Sequence, residues 1–285
     1  MSRIVYVNGQ YVPEAEAKIS VFDRAFLFAD GVYEVTAVIG GKLIDFPGHM
    51  RRLARSLGEL RIPAPATEEE LLAIHRRMVE ENGLDEGLIY LQVTRGAADR
   101  DFLFPPEDTT PSLVLFTQVN TIVDRPAVRT GIKVALLPDQ RWARRDIKTV
   151  QLLYPSMAKT EAKRQGKDDA WMVENGLITE GTSNNAWVVN ADGVLVTRPL
   201  SNEILHGITR AAVLRLAGEN GVKVEERAFT VDEAKAAREA FVTSASAFVM
   251  PVVEIDGQAI GTGTPGELTL RMREIYIEES LKTAI

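Results

Sequence analysis

Residues 142–155 read WARRDIKTVQLLYP. Lys148 stands between Asp146 and an apolar run that closes at Pro155, with Arg144 and Arg145 just before it. A lysine that enters the interior costs free energy unless its amine is used. A neutral lysine amine can form a Schiff base or carry a proton. Taken alone, the segment reads more simply as a surface lysine at a strand start. The rest of the chain decides between the two.

The chain has 285 residues, room for one large or two ordinary domains, and 45% of them are hydrophobic, enough for a sizeable core. Its net charge of -7 disfavours nucleic acid or an anionic membrane as the main partner. With no cysteine there are no disulfides or thiolate metal sites. His49, His75 and His206 lack metal-ligand spacing, so no metal is expected. The opening MSRIVYVNGQ turns polar within ten residues, and no run of eighteen apolar residues follows. Neither a leader nor a membrane span is therefore expected, and a cytoplasmic chain is.

Asn8-Gly9 marks a hairpin, and GVYEVTAVIGGKLIDF reads as two strands around Gly40-Gly41. Met50, Leu53, Leu57 and Leu60 recur at helical spacing. Thr67 with Glu70 forms a capping box for a second helix that ends at Gly83. GLIYLQVTRG and SLVLFTQV are strand-like. The first domain is placed at 1–120, a linker at 121–125 and the second domain at 126–285. There GIKVALLP reads as a strand, AKTEAKRQGK as a helix and the run to Pro199 as short strands with turns at Asn175-Gly176 and Asp192-Gly193. GITRAAVLRLAGENG and TVDEAKAAREA read as helices, AFVTSASAFVMPVVEIDG as a strand-like run, and GELTLRMREIYIEESLK as a closing helix. The class is α+β.

Several weak signals accompany Lys148. Gly207, Ile208 and Thr209 open a helix whose free N–H groups suit an anion, although an ordinary Thr-capped start reads the same way. Arg51 or Arg52 can make a bidentate phosphate contact or sit on a solvated helix face. Glu180 precedes a Gly-Thr-Ser-Asn turn, as a turn carboxylate or as the partner of a protonated ring nitrogen. Thr243, Ser244 and Ser246 offer small hydroxyls at a strand end. Together, an amine, a carboxylate and anion-binding groups are what pyridoxal phosphate needs.

The order and spacing of SVFDRAFLFADGVYEV, HMRRLARS, IYLQVTRG, DIKTVQLL, ITEGTSNNAWVV, ILHGITR and FVTSASAF resemble the class IV aminotransferases, the fold-type IV pyridoxal phosphate enzymes, nearly end to end. DGVYEV and VTRGAADRDFLFP resemble the D-amino acid group within that family. The resemblance implies a small α/β N-terminal domain and a larger pseudo-barrel C-terminal domain with pyridoxal 5'-phosphate. Lys148 resembles the Schiff-base lysine and proton carrier, and Glu180 the partner of the pyridine nitrogen. Arg52, Ile208, Thr209 and Ser244 or Ala245 resemble phosphate contacts, and Leu205 the residue packed on the ring face. Tyr33 and Arg100 resemble members of the group that holds the substrate carboxylate. In the family the loop bearing this arginine reaches the neighbouring subunit's site, which implies a homodimer.

One position departs from the pattern. Where the D-specific group has a histidine two residues after the arginine, this chain has Phe102, which cannot donate a hydrogen bond. Asp101 is placed to compete for Arg100. The expected reaction is ping-pong transamination of a D-amino acid such as D-alanine with a 2-oxo acid such as 2-oxoglutarate. The alternatives on the same fold are an (R)-amine transaminase, which Phe102 favours, a branched-chain L-amino acid aminotransferase and a 4-amino-4-deoxychorismate lyase. A non-catalytic cofactor or metabolite binder needs neither Lys148 nor Glu180.

Overall fold

The structure, a computed structural model, describes residues 2–285. Its chain divides into two compact units. The first runs to Thr121 and also takes Ile147–Gln151 and Thr283–Ile285; the second holds Ile122–Asp146 and Leu152–Lys282. Lys148 therefore belongs with the first unit, although it lies far along the chain.

The first unit contains β1 (Ile4–Val7), β2 (Gln10–Pro13), α1 (Arg24–Phe28), β3 (Gly31–Ile39), β4 (Lys42–Leu43), α2 (Phe46–Leu60), α3 (Glu68–Asn82), β5 (Glu86–Thr94) and β6 (Ser112–Val119). The strands form one antiparallel sheet in the order β2-β1-β6-β5-β3-β4. The β1–β2 turn is the expected one, with Asn8 and Gly9 both at positive φ. Thr67 and Glu70 complete their capping box at the start of α3, and Gly83 ends it in the left-handed region. Period-2 alternation sorts β3 and β5. Val32, Ile89, Leu91 and Val93 join Met50, Leu53, Leu57, Leu71 and Met78 of the two long helices in one core. Tyr33, Tyr90 and Phe116 stack on the other face.

The second unit contains α4 (Ala127–Thr130), β7 (Ile132–Pro138), α5 (Leu153–Arg164), β8 (Asp169–Glu174), β9 (Leu177–Gly181), β10 (Asn185–Val189), β11 (Leu195–Thr197), α6 (Ile208–Glu219), β12 (Val224–Glu226), α7 (Val231–Lys235), β13 (Glu239–Ser244), β14 (Phe248–Ile255), β15 (Gln258–Ala259) and α8 (Glu267–Thr283). The sheet order is β12-β11-β10-β13-β14-β7-β8-β9, with β15 on β14. The short β9–β10 connection brings β9 beside β10, so this part of the sheet curls back on itself. Trp171, Ile178, Val188, Val242 and Met250 fill the core that results. Trp187 and Phe241 stack with their rings 5.4 Å apart.

Three expectations change. The apolar run before Pro155 starts α5 instead of extending a strand. Proline fits the first turn of a helix, where no N–H bond is lost. The run 240–257 is a hairpin, β13 and β14, that turns through Ser244–Phe248 with Phe248 at φ 58°. The helix expected in TVDEAKAAREA is one short turn, α7. No described helix is long and apolar enough to cross a membrane.

Candidate active site

In the first unit, Ile147–Gln151 lies against the start of β3. Tyr33 N–H donates to Lys148 O at 3.0 Å, Val150 N–H donates to Gly31 O at 3.1 Å, and Thr149 bridges Val32. Lys148 N–H donates to Ser56 Oγ of α2 at 3.3 Å. The lysine backbone is thus fixed from two elements. The side chain is half-buried, and its Nζ lies 4.1 Å from the centroid of the Tyr33 ring. A ring face attracts an ammonium.

Beneath the same strand is a buried charge cluster. Glu34 is fully buried and faces α2. Arg52 Nε donates to Glu34 Oε1 at 2.7 Å and Nη2 to Oε2 at 2.6 Å, while His49 Nδ1 lies 2.7 Å from Oε2. Against an ionised carboxylate, that His49 nitrogen carries the proton. Burial pushes the Glu34 carboxyl up, but the charge and hydrogen bonds of Arg52, with those of His49, outweigh it and bring it down to about 2. Arg52, expected at a phosphate, thus has one edge of its guanidinium committed to Glu34.

Arg100 and Phe102 lie on the exposed stretch after β5. The Arg100 guanidinium is 5.4 Å from the Phe28 ring and 5.5 Å from that of Phe102, which is 80% exposed. Asp101 Oδ1 accepts from Leu103 N–H at 3.0 Å. Arg24 Nη1 donates to Asp101 O at 2.9 Å and Leu103 O at 3.3 Å, while its Nε holds Asp30. The peptide groups around Phe102 are therefore pinned to a buried arginine.

In the second unit, Glu180 is the last residue but one of β9 and is buried. The turn that follows is tied to Asp169, which accepts from Thr182 Oγ1 at 2.5 Å and Asn184 Nδ2 at 2.7 Å. Asn185 then donates through Nδ2 to Glu180 Oε2 at 2.8 Å and Leu205 O at 2.9 Å. Leu205 N–H donates to both Glu180 oxygens, at 3.2 and 3.1 Å. Arg141 Nη1 donates to Oε1 at 2.5 Å. Burial holds the Glu180 carboxyl above its ordinary range; Arg141 and the Leu205 N–H oppose that shift without cancelling it.

The 12-residue α6 starts after Gly207, and no side chain caps it. Its first N–H groups lack intrahelical partners, and Thr209 is buried in that turn. A Cβ at Gly207 would collide with Asn185 Oδ1. Gly207→Ala is expected to cost about 1–3 kcal/mol of stability, read by denaturant unfolding; an unchanged midpoint would show that Asn185 gives way freely. Ser244 and Ser246 hydroxyls lie 3.4 Å apart in the β13–β14 turn, with Ala245 between them.

The family model for class IV amino-transferases matches residues 31–255. The chain belongs to the class IV aminotransferases. It is 39% identical over 285 residues to D-alanine aminotransferase of Bacillus licheniformis, covering 98% of this chain and 99% of that one. It is 37% identical over 272 residues to that of Staphylococcus aureus, covering 95% of each. Among solved structures, the branched-chain amino acid aminotransferase of Escherichia coli matches with a TM-score of 0.88 at 25% identity, covering 98% of this chain and 95% of that one. The branched-chain amino acid aminotransferase of Thermoproteus uzoniensis with norvaline matches with a TM-score of 0.87 at 29% identity, covering 99% and 96%. The fold is the two-domain α+β architecture of fold-type IV.

Class IV aminotransferases work with pyridoxal 5'-phosphate, and this aminotransferase's residues fit that cofactor. Glu180 belongs to a cluster with Asp139 and Glu174, balanced by Arg141 and Arg145. Three carboxylates against two guanidiniums leave one negative charge in a largely buried place, which a protonated ring nitrogen would balance. The uncapped start of α6 suits the phosphate. The sequence reading missed Glu34, Ser56, Arg141 and Asn185. Only Glu34 left a trace: a lone acid on the face of β3 that it shares with Val32, Thr36 and Val38.

Proposed function

We propose that this aminotransferase transfers the amino group of a D-amino acid such as D-alanine to a 2-oxo acid such as 2-oxoglutarate, by ping-pong turnover. The observation that carries this reading is the 37–39% identity, over at least 95% of the chain, to D-alanine aminotransferases, against 25–29% to the branched-chain structures. When bound, pyridoxal phosphate takes up the donor's amine and delocalises the electron pair left at Cα. Lys148 would hold the cofactor covalently, and its amine would carry the proton that leaves the donor's Cα. The Tyr33 ring, 4.1 Å from Nζ, holds that amine in place.

Glu180 would hold the ring nitrogen protonated, and Leu205 would face the ring. Arg52, Ile208, Thr209, Ser244 and Ala245 bind the phosphate. Tyr33 and, from a second copy of the chain, Arg100 would hold the donor carboxylate. A homodimer fits the first unit, where Val21, Phe22, Phe26, Phe102, Leu103 and Phe104 are all exposed. Phe22 O accepts from Ala98 N–H, and Arg24 ties α1 to the 101–103 backbone, so these apolar groups form one region. A second copy of the chain is the occupant that would cover them.

Phe102 supports a second reading, an (R)-amine transaminase. It brings no donor to a carboxylate, and Arg100 rests on aromatic rings. The test is the visible spectrum of the purified holoenzyme. D-alanine is expected to remove the resting cofactor band while L-leucine leaves it. Loss with L-leucine alone would move the enzyme to the branched-chain group. An (R)-amine lacking a carboxylate that matches D-alanine would favour the second reading.

A further inference from the structure

Arg141 touches Glu180, yet nothing in the proposed chemistry uses it. It sits three residues beyond β7, in the run Pro138–Trp142. Asp139 binds it through three contacts: its Oδ1 accepts from Arg141 N–H at 3.1 Å and Nε at 3.0 Å, and its Oδ2 from Nη2 at 2.7 Å. This leaves Nη1 aimed at Glu180 Oε1. Asp139 is itself fixed, since its Oδ2 accepts from Thr179 Oγ1 at 2.7 Å and its N–H donates to Val173 O. Thr179 precedes Glu180 on β9, so one strand carries both the carboxylate and the anchor of its arginine. Arg145 lies 3.4 Å from Asp139 but forks onto Glu174. Arg198, the next cation out, has its own partner in Glu203.

We infer that Arg141 and Asp139 are positioning residues that set the charge of Glu180. The inference rests on Glu180 serving the cofactor's ring nitrogen. Arg141 opposes the burial that drives the Glu180 carboxyl toward its neutral form. Arg141 alone would over-correct: a guanidinium paired solely with Glu180 would neutralise it and leave no charge for the ring nitrogen. Asp139 takes up that cation's charge through the other side of the fork. Arg141 thus works against the neutral form of Glu180, and Asp139 keeps the pair's negative charge available. Asn185 Nδ2 and Leu205 N–H, both neutral donors, fix its direction and add no charge of their own.

The two variants break the balance from opposite sides. In Arg141→Met the buried Glu180 takes the proton itself. In Asp139→Asn, close in shape to the native residue, the whole Arg141 charge falls on Glu180. Either change deprotonates the ring nitrogen. The readout is the ring-nitrogen resonance of holoenzyme loaded with 15N-labelled pyridoxal phosphate, with Glu180→Gln as reference. Both variants are expected to move the resonance in the same direction as Glu180→Gln. They should lower kcat at least about tenfold with little change in donor KM. If Glu180→Gln moves the resonance and Asp139→Asn and Arg141→Met leave it in place, the inference is overturned. If Glu180→Gln itself leaves it in place, the role proposed for Glu180 fails and takes the inference with it. Asp139→Asn keeps the test valid if Arg141→Met does not fold.

Discussion

Lys148→Ala is expected to lower turnover by about 10⁴-fold or more and to remove the protein-bound cofactor band. A positioned acid–base group contributes about 10²–10⁴-fold, and this amine has a second task as the covalent holder of the cofactor. The loss should be local. Lys148 O and N–H keep Tyr33 N–H and Ser56 Oγ as partners whatever the side chain is, so the frame survives truncation. Thermal unfolding of the apoprotein should therefore change little. Lys148→Arg makes the complementary point: it keeps a cation near Tyr33 but supplies no titratable amine, and should be as inactive as alanine. A small primary amine added to Lys148→Ala should return part of the proton transfer. Normal turnover in Lys148→Ala would remove this lysine from the chemistry altogether.

Local signals in the sequence survived into the fold wherever short-range physics decides. The Thr67–Glu70 box and the Asn8-Gly9 turn are set by residues a few positions apart, and both form as read. The α5 start was hidden because its apolar residues do not obey burial. Leu152 is 36% exposed and Leu153 76%, so the leucines of QLLYP look like core and are surface. The turn inside 240–257 was hidden because no glycine marks it: Phe248 takes the left-handed conformation that such a turn usually gives to glycine or asparagine.

The site divides in the same way. Lys148 and Glu180 stood out as chemistry types set in unusual runs, but which unit each joins is decided by long-range contacts. The bond from Tyr33 N–H to Lys148 O spans more than a hundred residues, and no periodicity announces it. Arg141 left no signal, because a D-x-R pair in a loop is indistinguishable from a solvated ion pair until its burial beside Glu180 is seen.

Arg52→Met is expected to destabilise the protein by about 3–5 kcal/mol at neutral pH, the usual cost of removing one partner of a buried ion pair. Glu34 is the reason, since it has no water to turn to. The pH dependence gives the sign. In the native protein the Glu34 carboxyl is held at about 2, below its ordinary 4.5. Its contribution is therefore present above the unfolded value and is lost as pH falls toward 2. Without Arg52, burial dominates and the carboxyl rises above 4.5, although His49 Nδ1 still faces it. The variant then loses stability as pH rises through that range. The deficit against the native protein should be largest near neutrality and smaller at about pH 4, read by denaturant unfolding at both pH values. A deficit independent of pH would mean that lost packing, not the orphaned carboxylate, is the cause. Adding Glu34→Gln to Arg52→Met removes the orphaned charge and should recover most of the stability. Pyridoxal phosphate affinity separates the two roles given to Arg52. If the guanidinium also binds the phosphate, the double variant regains its fold but not its affinity. If affinity returns with stability, Arg52 serves Glu34 alone, and the phosphate is left to the start of α6 and the β13–β14 turn.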